Sequence, residues 1–93
     1  MTGFTVTVGL EHLLPAYLSE MAQDSIRLTE LADGPLSELA HHAHGMGGKC
    51  AMIGDLTLAH LLYEVERVAL LGQADQVAEV LTQAHSLLTH RHP

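Results

Sequence analysis

The sequence predicts an all-α fold, an up-down-up-down antiparallel four-helix bundle. Three observations lead there. Apolar residues recur at three- and four-residue intervals through most of the chain. It is 47% hydrophobic but only 3% aromatic and has no Trp, so its core must be built from Leu, Ala, Val and Met, as in helical bundles rather than β-sandwiches. Finally, Asp33-Gly34-Pro35, Gly54-Asp55 and Gly72 divide the pattern into four segments, and connections this short make successive helices antiparallel neighbours. Ninety-three residues bound the chain to one domain with a single core.

Residues 1–9 precede that domain. Phe4, Val6 and Val8 alternate with Thr, but a lone short strand has no partner, so an extended or partly helical arm capping one end of the bundle is expected. The domain itself spans residues 10–90. Its first helix runs from Leu10 to Ala32 with Leu10, Leu13, Leu14, Tyr17, Met21, Leu28 and Leu31 inward; Pro15 is tolerated only near its start. Asp33 or Gly34 then caps a second helix, Pro35 to Ile53, with Pro at its first position. Gly54 ends that helix and Asp55 serves as N-cap of a third, Leu56 to Leu71, which buries Leu58, Leu61, Leu62, Val65 and Val68 or Ala69. Gly72 stops it, and the fourth, Ala74 to Thr89, turns Val77, Leu81, Ala84 and Leu88 inward. Residues 91–93 are expected to fray.

Four basic residues against eleven acidic ones give a net charge of −7. Such a surface repels phosphate backbones and anionic lipids, which excludes nucleic acid and membrane surfaces as expected partners. No run reaches the ~18 apolar residues of a membrane span, and the first residues lack the basic and apolar regions of a signal peptide, so a cytoplasmic monomer is expected. The single cysteine, Cys50, excludes an internal disulfide. Its place on an apolar stripe marks it as a small buried hydrophobe.

The second helix carries the chemistry. Leu36, Ala40, Ala43, Met46, Cys50 and Ile53 make its apolar stripe, yet Gly45, Gly47 and Gly48 interrupt it, each costing up to about 1 kcal/mol relative to Ala. On a wheel of about 100° per residue, His44 falls roughly 110° from the stripe's centre, at the boundary between core and water. Its surface neighbours Ser37, Ala40, Gly47, Gly48 and Ala51 are small, and only His41 is not. The imidazole is thus expected to stand in a clearing. His42 lies on the other flank near Glu38, Met46 and Lys49, and His41 points more directly at solvent.

His44-Gly-Met46-Gly-Gly48, followed by Ile53-Gly54 and by Leu62 through Val65-Glu66 on the next helix, resembles the signature of the histidine-containing phosphotransfer (HPt) domain family over roughly residues 10 to 88. Met46, Gly48 and Gly54 match its pattern, while Gly47 replaces the usual basic residue. The resemblance implies a phosphorelay intermediate with His44 as phosphoacceptor. Its partners would be a response-regulator receiver domain, a hybrid sensor histidine kinase, or both, with the aspartyl phosphate and Mg²⁺ on the receiver and no cofactor on this chain. Such a domain is a phosphotransfer intermediate rather than a stand-alone catalyst.

The chemistry suits the residue. Neutral imidazole is nucleophilic near pH 7, one nitrogen attacking while the other is held by a hydrogen bond. Phosphoryl transfer is otherwise mostly positioning and electrostatic stabilisation. A side chain at Gly48 would stand one turn above His44 and obstruct the partner. Without a basic residue at 47, the phosphate's charge falls to Lys49, Arg27, Arg67, His41 or the partner; Lys49 lies roughly 140° around the helix from His44. Counting residues away from Asp33-Gly34 puts His44 level with Gln23, making Gln23, Asp24 and Arg27 candidate neighbours. The same reflection about Gly54-Asp55 brings Glu66 and Arg67 to that height. Gly48, Gly47, His41, Lys49, Gln23 and Arg27 are therefore the candidate phosphate environment or docking surface.

An ordinary solvated histidine is the competing reading of His44; the three glycines, for which a purely structural helix has no use, weigh against it. For His41, His42, His12, His60 and His85 the solvated or boundary reading is preferred. Two further functions compete. One is a degenerate HPt-like module that docks a receiver or kinase without carrying phosphate. The other is a metal site on the histidine cluster, although tight sites need three or four converging ligands and only His41 and His44 lie side by side.

Overall fold

The computed structural model of the chain describes residues 3–91. Among them are four α-helices and no strand: α1 (Leu14–Leu31), α2 (Leu36–Ile53), α3 (Leu56–Leu70) and α4 (Ala74–Leu88). A 3-10 turn, Glu11–Leu13, leads into α1. Regular helix therefore starts later than periodicity suggests, and Pro15 falls in its first turn, where its missing N–H costs nothing. Pro35, extended at ψ 130°, sits one position outside α2 instead of opening it. Its carbonyl accepts the Glu38 and Leu39 N–H groups.

The helices pack into one globule, with α2 against α3 and α1, α3 against α4, and α1 against α4. Tyr17, Met21, Leu28 and Leu31 of α1 are buried against Leu39, Ala43, Met46, Cys50 and Ile53 of α2. From α3 come Leu58, Leu62, Val65 and both Val68 and Ala69; from α4, Val77, Leu81, Ala84 and Leu88. Leu10, Leu13, Leu14, Leu36 and Leu61 are only half-buried. No helix among the described residues is long and apolar enough to cross a membrane.

The α2–α3 corner fixes how these two helices meet. Gly54 takes φ +99°, and its N–H and that of Asp55 return to the Ala51 and Cys50 carbonyls at 3.3 and 2.9 Å. This is a Schellman cap, which requires a left-handed residue. The arm lies over it: the Thr7 N–H donates to the Ile53 carbonyl at 2.8 Å and the Thr7 hydroxyl to that of Met52 at 3.2 Å. A Cβ at Gly54 would come within 2.7 Å of the Thr5 carbonyl.

Asp55 departs from expectation. It occupies the N-cap position of α3, but its side chain makes no capping bond. The carboxylate turns inward, fully buried, and accepts from Arg91 Nε at 2.7 Å and Nη2 at 3.1 Å. The Tyr17 hydroxyl donates to the same carboxylate at 2.5 Å, with Cys50 Sγ 3.1 Å from the phenolic oxygen. Phe4 of the arm meets Tyr17 edge-on at 5.8 Å and lies 5.0 Å beneath the Arg91 guanidinium.

Arg91 is thus no part of a frayed tail: it is 2% exposed and clasps the start of α3. Positions 92 and 93, like 1 and 2 of the arm, lie outside the described residues. Burial works against the Arg91 charge, but the bonds and charge of Asp55 outweigh it and hold its pKa above the ordinary value. Burial, and then the bond to Asp55, pushes the Tyr17 phenol far up. Burial also lifts the Cys50 thiol from 9.0 to about 12, so at neutral pH it is protonated and inert.

Removing one partner of a buried pair strands the other. Arg91→Ala is expected to lower unfolding stability by about 3–5 kcal/mol, read from urea denaturation midpoints, and a loss under about 1 kcal/mol would place the pair outside the fold's essentials. The raised Cys50 pKa makes a second prediction. Its contribution is complete below pH 9, where the unfolded thiol is still protonated, and is lost as pH rises toward about 12. Stability should fall above pH 9 by up to about 1.4 kcal/mol per pH unit from this group. Thermal melts of Cys50→Ala at pH 8 to 10 are expected to show a flatter decline than wild type.

Candidate functional site

Two flanks of α2 carry its polar side-chain contacts. On the α1 flank, His42 Nε2 is 2.9 Å from the Asp24 carbonyl, which, as an acceptor, requires the proton on that nitrogen. Lys49 Nζ donates to Asp24 Oδ2 at 2.8 Å and lies 3.9 Å from Glu20. The hydrogen bond to Asp24 raises the Lys49 pKa. His41 and His42 line two adjoining cavities, of about 400 Å³ with Arg27, Leu31, Ser37 and Glu38, and of about 180 Å³ with Asp24, Gly45, Met46 and Lys49.

His44 belongs to the α3 flank. Its Nδ1 is 3.0 Å from Glu66 Oε1, and its ring lies 5.8 Å from that of Tyr63, tilted by 53°. The side chain remains 63% exposed, and Nε2 takes no hydrogen-bond partner among the described residues. A carboxylate can only accept, so the bond to Glu66 places the neutral ring's proton on Nδ1 and leaves the lone pair on Nε2.

The glycines separate into two kinds. A Cβ at Gly47 would come within 2.7 Å of the Tyr63 ring, so Gly47 is buried because α3 packs an aromatic face directly on the α2 backbone. This corrects the view that a structural helix has no use for it: Gly47 is a packing glycine. Gly45 and Gly48 are exposed, and a Cβ at either meets nothing within 4 Å. Their bareness answers no packing demand, and Gly48 leaves the surface one turn beyond His44 open.

The candidate environment is therefore brought together only in part. His44, Gly48 and Gly47 adjoin one another, with Glu66 and Tyr63 completing the cluster. Lys49 and Arg27 lie on the α1 flank and His41 lines the groove there, while Gln23 is exposed on α1 without a contact to His44. Arg67 forks onto Glu64, one turn back on α3. Glu66 was legible from reflection about the corner; Tyr63 was not, because nothing in the periodicity of α3 says which glycine its ring covers. Among the described residues no group of three or more His, Cys, Asp or Glu side chains converges to hold a metal ion.

The two kinds of glycine are expected to respond differently. Gly48→Ala gains helix propensity in open space and should stabilise by about 0.5–1 kcal/mol. Gly47→Ala forces Tyr63 aside and should be less stable than Gly48→Ala by about 1–3 kcal/mol. In a Tyr63→Ala background that difference should largely vanish, a coupling measurable by a double-mutant cycle. Comparisons with protein-family models, with curated proteins and with solved structures find no match for this chain.

Proposed function

We propose that this chain is a histidine phosphotransfer protein of a two-component phosphorelay. It accepts a phosphoryl group on His44 from the aspartyl phosphate of a receiver domain, or from a hybrid sensor kinase, and passes it to a response-regulator receiver. The observation that carries the reading is the His44–Glu66 pair, which holds Nδ1 of a ring 63% exposed and leaves Nε2 without a hydrogen-bond partner among the described residues, with bare backbone at Gly45 and Gly48 on the same helix. The reading takes the helices as an up-down-up-down bundle of the HPt kind. Contacts equidistant from the α2–α3 corner, Gly47 with Tyr63 and His44 with Glu66, support that arrangement.

The transfer follows from the geometry. The Nε2 lone pair attacks phosphorus, and the bond from phosphorus to the aspartyl oxygen breaks with its electron pair leaving on the carboxylate. The Nδ1 proton stays on the ring, where Glu66 stabilises the positive charge that develops. Glu66 is a positioning residue: it fixes tautomer and ring orientation without touching phosphorus. The partner supplies the Mg²⁺ and the acyl phosphate, so this chain alone turns nothing over.

Incubation with a phosphorylated receiver and Mg²⁺ is expected to leave acid-labile, base-stable phosphate on wild type and none on His44→Gln. Label persisting unchanged in that variant would sink the assignment. Glu66→Ala is expected to slow labelling by roughly tenfold or more, the worth of a hydrogen bond to a charged group. A module that only docks its partner would instead keep binding and output in His44→Gln.

A further inference from the structure

Acids outnumber bases eleven to four in this chain, so an arginine with no acid beside it stands out. Arg27 is one. It lines the cavity of about 400 Å³ between α1 and α2, together with Leu31, Ser37, Glu38, His41 and His42. Among the described residues, the side chains of Arg27, Ser37, Glu38 and His41 make no hydrogen bond or ion pair. Arg27 and Glu38 therefore share one cavity without meeting, and each leaves a full charge unmatched. His42 donates from Nε2 to the Asp24 carbonyl, so its neutral ring keeps an acceptor at Nδ1. Farther along the same flank the charges are matched, with Lys49 held by Asp24 at 2.8 Å.

We propose that this cavity binds a small zwitterion, a free α-amino acid, with its carboxylate on Arg27 and His41 and its ammonium on Glu38 and His42. The donors and acceptors sort accordingly. A guanidinium forks onto a carboxylate through two parallel N–H···O bonds, and an imidazole N–H or the Ser37 hydroxyl adds a further donor. Glu38 accepts only, so it opposes a simple anion and favours one that carries its own cation. A phosphate or a plain carboxylic acid meets that opposition uncompensated, and a simple amine meets Arg27. The size agrees, since small-molecule sites begin near ~300 Å³, and the buried Leu31 offers an aliphatic side chain an apolar wall. Nothing in this depends on His44, which meets α3 from the other flank of the helix.

Leucine and its two truncated analogues test this in heteronuclear NMR titrations of the full chain. Leucine is expected to shift the amides of residues 37–42 saturably, with a dissociation constant on the order of 1 mM. Isocaproate lacks the ammonium and isoamylamine lacks the carboxylate; each is expected to bind about tenfold more weakly, the worth of a hydrogen bond to a charged group. Arg27 and Glu38 are exposed, so Arg27→Gln and Glu38→Gln should keep the fold, seen as unchanged resonances away from the groove. Arg27→Gln is expected to weaken leucine about tenfold and isoamylamine not at all. Glu38→Gln is expected to weaken leucine to the same degree and isocaproate not at all. No saturable shift with leucine, or shifts centred away from the α1–α2 groove, would overturn the inference. So would isocaproate binding as tightly as leucine with loss in Arg27→Gln alone, the mark of a site for anions only.

Discussion

The buried pair of Asp55 and Arg91 is the constraint on which the rest of the structure depends. Two ions taken out of water lose hydration worth several kcal/mol each, and only good geometry with further hydrogen bonds recovers it. Here the guanidinium meets both carboxylate oxygens, Tyr17 donates to the carboxylate, and Phe4 lies under the guanidinium. Five parts of the chain thus meet at one point: the arm, α1, the end of α2, the start of α3 and the segment after α4. An apolar cluster there would tolerate sliding; a forked ion pair does not. Its forked geometry is met in one register of these elements.

That register is what assembles the candidate site about three helical turns away. With the corner fixed by the left-handed Gly54 and the inward Asp55, positions counted outward along α2 and α3 meet in order, first Gly47 with Tyr63 and then His44 with Glu66. Gly47 lets α3 approach closely enough for its aromatic ring to rest on the α2 backbone, and that ring also walls one side of His44. A packing requirement and a site requirement therefore share one glycine. Gly45 and Gly48 have no such double role, and the helix propensity forgone there has no compensating contact among the described residues.

Much of this was readable from sequence, and the misses have physical causes. Helix number, the inward faces and the breaks follow from a 3.6-residue period and from Gly and Pro chemistry, both local properties. Reflection about a tight corner worked for Glu66 because both helices leave the corner directly. Applied to Asp33-Gly34 it gave nearly the right height, since His42 does meet Asp24, but the wrong flank. Counting fixes position along a helix and says nothing of azimuth, so Gln23 and Arg27 were sent to His44, which faces α3. Asp before a helix ordinarily caps it, and Asp55 holds that position with its side chain turned away. Only its partner 36 positions later turns it inward, and a charged residue three from the terminus gives no local sign of burial.

Under the proposed phosphotransfer, two opposing electrostatic demands at His44 would be met by using different edges of one ring. A nucleophilic imidazole needs an acceptor at one nitrogen to fix its tautomer and bear its developing positive charge, and a carboxylate serves both needs. The arriving phosphoryl group needs the reverse, positive charge and few anions. Seating Glu66 at Nδ1 and leaving Nε2 without a partner among the described residues puts the width of the ring between the carboxylate and the phosphorus. What this chain holds permanently is the half of the site that must be preorganised, the orientation of the nucleophile. On the same proposal, the charge that varies during the reaction would fall to the side on which a second protein arrives. On the phosphotransfer proposal, an exposed histidine, rather than a pocketed one, is compatible with specific chemistry, because a partner's active site would close over the ring.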